Sequence, residues 1–550
     1  MKKTKLFYGL TIINLIIPFG LTTCTSQNNF KQKEVKIKIF QTSDIHGWLM
    51  NSGSGQQDTY EYRLAYIANQ INKARTDKQN YDDVLLVDGG DIYQGNVVSN
   101  KTNGNALRAY LDIMNYDAVC LGNHEFDWGV TQFAADKQAT VPAYEIGDLS
   151  NDPDIPVLAA NLYNADTNDH VDFTKQYSIV NKAGYKIALI GYIPDYSSDI
   201  LEKRIAPYKI DDDIDNFTKI VQQVNSEEKP DLTIVVAHDE PKKIANKLSN
   251  QDVQFLTGGH DHKARTGIAK SSIPYMQADA FANGYATATI TIKPNKEVIC
   301  DEQDIQYFAI ADDDKKIEML YDNQDNVDSL DKDILNLSHI AWDSIKDAMT
   351  VELGFINQAI SKKQKISGDE IATVAGNWIT TLMKTAANTD IAFYNSGGIR
   401  TNFNIPSGQS TKTITTGDIY TMLPFNNSLL VYKLTPKQIA NHIAKSYVNK
   451  NYGDQVSGLT YEYKTINEDE IEVVKLIISG KNVDINDEST VYSVCVSEYN
   501  ATLQDSVFEN IQPEKSEEQL VDNEAIINEL KKQNNTLIDV DTSYRTKKIN

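Results

Sequence analysis

Five of the eight histidines in this 550-residue chain stand just after apolar runs: His46, His124, His238, His260 and His262. Their neighbours are acids, amides and glycines, in Asp44-Ile45-His46, Gly90-Asp91, Gly122-Asn123-His124-Glu125 and Gly259-His260-Asp261-His262. A single Asp or His after a strand is usually a turn residue or a solvated group. Five independent accidents would scatter such residues through helices and loops instead. Asp44, His46, Asp91, Asn123, His238, His260 and His262 form a mixed oxygen and imidazole set, which suits two divalent metals. Asp91 is the natural bridge, because a carboxylate has two oxygens. His124 can serve as acid, base or ligand, and Asp127 stands where it can hold one nitrogen of that imidazole.

Strands must position these groups. Val35, Ile37 and Ile39 alternate with polar residues, and apolar runs follow at 84–88, 118–121, 187–190, 232–237 and 255–257. Asp44 and His46, two apart at a strand end, are expected to project to one side. Leu64, Ile67, Ala68 and Ile71 predict a helix. Active sites of α/β proteins gather at the C-terminal ends of such strands. Glycines 89, 90 and 95 let the backbone turn tightly and approach a ligand.

The length predicts two to four domains. With 53 basic and 76 acidic residues the net charge is −23. That balance offers no basic footprint and argues against polynucleotide binding. An anionic substrate then needs metal ions or a local arginine. No C-x-x-C pair is present among the four cysteines, so a thiolate zinc site is not supported. Cys120 reads as a small core residue. Lys2, Lys3 and Lys5 precede an almost continuous apolar run over 6–21, which reads as an export signal over 1–24. Leu21-Thr22-Thr23-Cys24 resembles a bacterial lipoprotein box, with Cys24 the lipidated residue and 25–34 a tether on the membrane.

The first half resembles the calcineurin-like metallophosphoesterases through Asp44-x-His46, Gly90-Asp91, Gly122-Asn123-His124-Glu125, His238 and Gly259-His260-x-His262. The resemblance implies an α/β domain over 35–310 with a four-layer αββα fold. It also implies two divalent metal ions (Zn, Mn, Mg, Fe or Co) bridged by Asp91. Asp44, His46 and His262 would hold the first, and Asn123, His238 and His260 the second. Two cations lower the pKa of a shared water and clamp phosphate oxygens. His124 would stabilise charge or protonate the leaving oxygen, with Asp127 orienting it.

Residues 311–350 predict an acidic linker and a connecting helix on Leu337, Ile340, Ala341, Ile345 and Ala348. The stretch from Asp322 has Val327 where a calcium loop needs glycine. Ser367-x-x-Glu370 is a capping-box signature that predicts a following helix through Ile371, Val374, Ala375, Trp378 and Leu382. Thr435-Pro436-Lys437-Gln438 predicts another helix start. Asn395-Ser396-Gly397-Gly398-Ile399-Arg400 reads as an anion-contact turn.

Residues 351–550 resemble the C-terminal domain of the bacterial 5′-nucleotidase / UDP-sugar hydrolase family. Gly376-Asn377, Asn395-x-Gly397-Gly398-Ile399-Arg400, Leu423-Pro424-Phe425 and Val456-Ser457-Gly458-Leu459 carry that likeness. It implies a separate α/β nucleotide-binding domain. Arg400 would contact phosphate and Asn395 the base, Phe425 and Tyr499 would stack the base, and Asp505 would bind ribose. Stacking between aromatics gives little base selectivity, because every base has a π-face. The family brings further arginines before the Gly-Asn motif, where this chain has no arginine and only Lys362, Lys363 and Lys365 further upstream, and Leu503-Gln504 precede Asp505 in place of paired glycines.

Together these features predict an exported, lipid-anchored two-metal phosphohydrolase that converts 5′-nucleotides to nucleosides. A 2′,3′-cyclic nucleotide phosphodiesterase/3′-nucleotidase or a UDP-sugar hydrolase would keep the fold and cut another bond. A non-catalytic nucleotide- or partner-binding lipoprotein is the alternative from another class.

Overall fold

The computed structural model describes residues 33–50, 60–127, 155–196, 200, 205–310, 318–323, 326, 328–425, 427–447, 453–467, 470–502, 507–508, 511–514 and 520–549. Cys24 and Asp505 lie outside these residues.

Among the described residues a two-stranded sheet, Leu162–Asn164 with Tyr208–Ile210, and two large sheets make the first half. One has seven strands, ordered Val298–Ile299, Gly284–Ile292, Val35–Thr42, Asp83–Asp88, Ala118–Cys120 and Val157–Leu158, with Ile305–Ala309 also paired to Gly284–Ile292. The other has six, ordered Arg265–Ile268, Pro274–Gln277, Phe255–Thr257, Leu232–Ala237, Tyr185–Tyr192 and Tyr177–Lys182. Side chains alternate across each strand, so each sheet has two apolar faces. Ile37, Ile39, Leu85 and Val87 of the first sheet meet Ile187, Leu189, Ile234, Val236 and Phe255 of the second in one buried layer. The opposite faces are covered by helices. Leu86 and Val119 share a cluster with Leu64, Ile67 and Ile71 of helix Arg63–Thr76. Ala188, Ile190 and Val235 share another with Phe217 and Val221 of helix Ile214–Glu228. The four layers are helix, sheet, sheet, helix.

Four adjacent strands run parallel in each large sheet, out to the Val157–Leu158 edge in the first and in the middle of the second. Thr42 pairs with Asp88, and Tyr192 with Ala237. The parallel strands therefore end together at one edge, where the motif loops begin. Gln41, fully buried, ties the sheets there: its Nε2 donates to Gly258 O at 2.6 Å and its Oε1 accepts the Ala278 amide at 3.0 Å.

Helix Lys332–Met349 is capped by Asp331 and buries Ile334, Leu337, Ala341, Trp342, Ile345 and Met349. Its apolar face joins a core that also contains Leu107 and Tyr110 from the first half and Trp378, Ile419 and Ile527 from the second. The second half has two four-stranded sheets. Leu429–Leu434, Tyr492–Ser497, Ile391–Tyr394 and Gln455–Ser457 form one. Lys481–Val483, Glu470–Ile478, Leu459–Asn467 and Thr546–Lys548 form the other.

One helix start differs from the sequence expectation. Helix Val374–Ala386 begins at Thr373, whose hydroxyl accepts the Gly376 amide, and not at Ser367. Asp369 is the reason. Its carboxylate accepts the amides of Ile371 and Ala372 and that of Thr546, so 367–372 forms a turn anchored to the last strand. The box at Thr435 and Gln438 forms as expected. Cys120, Cys300 and Cys495 are free thiols, and Cys120 is buried.

Candidate active site

The loops after the parallel strands bring seven side chains together. One ligand atom each from Asp44, His46 and His262 lie within 4.8 Å of one another, and the same holds for Asp91, His238 and His260. Asp91 stands between the groups, its Oδ2 being 3.3 Å from His238 Nε2 and 3.8 Å from His46 Nε2. Asn123 Oδ1 lies 3.1 Å from His238 Nε2 and 3.0 Å from His260 Nδ1.

The route to this convergence differs from the expected strand alternation. The first strand ends at Thr42. Asp44, His46, Asp91, His260 and His262 all have left-handed backbones, with φ of +51°, +48°, +56°, +78° and +56°. Such conformations are costly for residues with a Cβ and cluster at functional sites. The Asp44 and His46 amides donate to the carbonyls of Gly90 and Asp91, which holds one curled loop against the other. Gly122 is required by a close approach: a Cβ there would collide with Asp91 Oδ1.

The donor chemistry fits cations. His46 Nδ1–H donates to Gln94 O at 2.8 Å, which turns its Nε2 lone pair inward. That Nε2 faces His262 Nε2 at 3.1 Å. His238 Nδ1–H likewise donates to Gly89 O at 2.7 Å. Burial holds His46 well below the usual histidine range, and it pushes His260 and His262 down to about 4. These three imidazoles are neutral at pH 7 and have lone pairs to offer. Burial also lowers His238, but Asp91 outweighs it and brings it to about 10. Burial raises Asp44 to about 7. Seven buried or half-buried oxygen and imidazole side chains converging on two points form a set that could hold divalent cations, with His238 giving up its second proton to do so.

His124 lies beside this centre. Its amide donates to Asp91 Oδ1 at 2.9 Å and its Nδ1 donates to Asp127 Oδ2 at 2.8 Å. Burial lowers its pKa, but Asp127 and Asp91 more than offset this and hold it at about 9. The imidazolium is therefore the form favoured at neutral pH, and among the described residues its other nitrogen has no hydrogen-bond partner.

A cavity of about 200 Å³ opens from His124 into the second half of the chain. Asn123, His124, Asp127 and His260 line one side, and Asn395, Arg400, Phe425 and Tyr499 line the other. The Phe425 ring lies 5.6 Å from the His124 ring, and the Arg400 guanidinium lies 5.6 Å from the centre of Phe425. Arg400 makes no ion pair among the described residues. Lys362 Nζ donates to its carbonyl at 3.2 Å.

Several supporting residues were not assigned roles from the sequence. Glu125 accepts the amides of Asp91, Ile92 and Gly122. Asp261 points away from the two histidines it separates, because Arg265 and Gln277 Nε2 hold its carboxylate. The Tyr196 ring stacks on His260 at 3.7 Å. Glu125 could have been found from its place in Gly122-Asn123-His124-Glu125. The others needed the fold.

Residues 37–264 match the calcineurin-like phosphoesterase family, and residues 357–511 match the 5′-nucleotidase C-terminal domain. The chain belongs to the 5′-nucleotidase family of calcineurin-like metallophosphoesterases. It is a hydrolase of phosphoesters, and its family uses divalent metals. A 5′-nucleotidase of Vibrio vulnificus is 24% identical over 88% of this chain and 87% of that protein. Protein 5NUC of Lutzomyia longipalpis is 25% identical over 86% of each. The chain also matches the trifunctional nucleotide phosphoesterase YfkN of Bacillus subtilis at 24% identity, but spans only 31% of its length. The crystal structure of a 5′-nucleotidase precursor from Thermus thermophilus shares the fold, with a TM-score of 0.70 at 21% identity over 94% of this chain and 99% of that one.

Proposed function

We propose that this protein is an exported, lipid-anchored nucleotidase that releases phosphate from 5′-nucleotides at a two-cation centre. One observation carries the reading. A single cavity joins the imidazole and carboxylate cluster to Asn395, Arg400, Phe425 and Tyr499. A phosphate at the cluster end, within reach of the Arg400 guanidinium, leaves its nucleoside among an amide and two aromatic rings.

In this reading Asp44, His46 and His262 hold one divalent cation, and Asn123, His238 and His260 hold the other, with Asp91 shared. Zn, Mn, Mg, Fe or Co suits such a donor set. Cations bound there supply the charge that activates water and clamps phosphate oxygens. The chain's own groups do the rest. Arg400 binds the phosphate. His124 gives its proton to the departing ribose oxygen, while Asp127 keeps the Nδ1 proton in place and fixes the ring. Phe425 and Tyr499 stack the base, and Asn395 meets its edge. Asp505 is proposed for the ribose from its place in the motif. Domain limits at 35–310 and 351–550 with a connecting segment between them fit the two family matches. The N-terminal pattern ending in Cys24 supports export and anchoring. A cell wall protein of Listeria monocytogenes, 23% identical over 84% of this chain, has a name that accords with export.

The test follows phosphate release from AMP with Mn²⁺ or Zn²⁺, with and without chelator, in the protein and in Asp91→Asn. Chelator-sensitive release that the variant lacks supports the reading. Release only from 2′,3′-cyclic nucleotides or nucleotide sugars moves the protein to those activities. Metal uptake without turnover of any of them sinks the nucleotidase reading.

A further inference from the structure

We infer that Phe281 is the positioning residue of the Asp44, His46 and His262 group, acting through its ring on the two imidazoles. The inference rests on the two-cation centre proposed above.

A histidine that offers one nitrogen to a cation needs its ring fixed, and a hydrogen bond from the other nitrogen usually does so. His46 has Gln94 O and His238 has Gly89 O. Among the described residues His262 has no such acceptor: its one polar neighbour within hydrogen-bonding distance is His46 Nε2, on the inward side. What fixes His262 is an aromatic ring. Phe281 meets it edge to face, with centroids 4.9 Å apart and planes at 83°. The same ring lies 5.4 Å from His46 at 33°. One phenyl group thus borders both imidazoles whose Nε2 atoms face each other at 3.1 Å.

Phe281 is held in a conformation that its residue type resists. Its φ is +58°, in the left-handed region where a bulky side chain is an outlier. Such strain persists only where the surroundings over-determine it. The Phe281 amide donates to the Asp44 carbonyl at 2.8 Å, so two left-handed residues are bonded directly to each other. Arg63 donates to the Phe281 carbonyl at 3.1 Å and also to Asn283 Oδ1. The Arg63 guanidinium covers Trp48 at 4.9 Å, and the Trp48 ring lies 6.0 Å from Phe281. This stack fixes the phenyl ring against one group of ligands. The other group has its own aromatic neighbour, Tyr196 on His260. Removing Phe281 should therefore weaken one cation site and spare the other.

The experiment titrates metal-free full-length protein with Mn²⁺, read by calorimetry and by the electron paramagnetic resonance of a coupled Mn²⁺ pair. Phe281→Leu removes the ring and keeps the strain, while Phe281→Gly removes both. Phe281→Tyr keeps the ring. The expected result is two ions in the wild type. One binding step weakens about tenfold or more in Phe281→Leu and Phe281→Gly, the other stays unchanged, and Phe281→Tyr matches the wild type. Unchanged affinities in both ring-less variants, or equal weakening of both steps, overturn the inference. A wild-type protein that takes up one ion overturns the two-cation reading and this inference with it.

Discussion

Glu125 holds the backbone of Asp91: its Oε2 accepts the Asp91 amide at 2.9 Å. The same oxygen accepts the Gly122 amide at 2.7 Å, and Oε1 accepts the Ile92 amide at 2.7 Å. One buried carboxylate thus fixes the loop that presents Asp91 and the turn that presents Asn123 and His124. Replacing it by glutamine turns an amide donor toward backbone donors. A buried N–H left without an acceptor costs about 1–3 kcal/mol. Glu125→Gln should lose that much stability, measured by urea unfolding of the metal-free protein. It should also bind Mn²⁺ about ten- to hundredfold more weakly. Wild-type metal affinity in the variant would show that the clamp is dispensable.

The His124 and Asp127 pair makes a prediction about pH. His124 must carry its proton to give it away, so activity is present below its pKa and lost as pH rises through it. Burial alone lowers that pKa, and Asp127 raises it. Asp127→Asn removes the raising charge, so the alkaline limb of kcat/KM should move to lower pH. His124→Ala should lower kcat by about 10²–10⁴ at the pH optimum. An alkaline limb that stays put in Asp127→Asn would exclude the pair as its origin.

The candidate ligand residues could be singled out because each follows an apolar run that reads as a buried strand, and such strands end at one edge. Their spacing did not reveal how they converge. Asp44 and His46 meet through left-handed loop residues, not strand alternation, and single-residue φ values leave little trace in composition. Phe281 and Arg63 are 218 positions apart and meet only in the folded chain. Ser367 and Glu370 matched a capping pattern locally, but the tertiary bonds of Asp369 decided otherwise. Local signals located the chemistry, whereas the supports of that chemistry come from distant segments.

Arg400 is a cation in the cavity without a carboxylate partner among the described residues, so its charge is available to an anion. Hydrogen bonds to a charged group contribute about 1.5–3 kcal/mol. Arg400→Ala should therefore lower kcat/KM for AMP by about ten- to hundredfold. Metal content and melting temperature should stay close to wild-type values, because within the fold the side chain makes only a long bond to Gly397 O at 3.5 Å and a contact with the Phe425 ring. Arg400→Lys should recover only part of the loss, since an ammonium lacks the planar fork. A full recovery would show that a point charge suffices.

Asp522 gives the second half its own pH signature. It is fully buried, and its Oδ2 accepts the Tyr394 hydroxyl at 2.8 Å, just before Asn395 enters the cavity. Burial raises its pKa to about 6, although Tyr394 and the Asn523 amide oppose the shift. The unfolded value is about 3.9. Below about pH 4 both states hold the proton and no stability is lost. Between about pH 4 and 6 the unfolded chain has released it while the native chain keeps it. The native state then binds more protons, so stability falls as pH rises, by up to about 3 kcal/mol. Above about pH 6 the loss is complete. Asp522→Asn cannot titrate, so its stability should exceed that of the wild type increasingly from pH 4 to 6 and by a constant amount above. Urea unfolding of both proteins at pH 4, 5, 6 and 7 measures the difference. Curves that stay parallel across this range would mean that Asp522 titrates alike in both states and that the Tyr394 contact carries no linkage to protons.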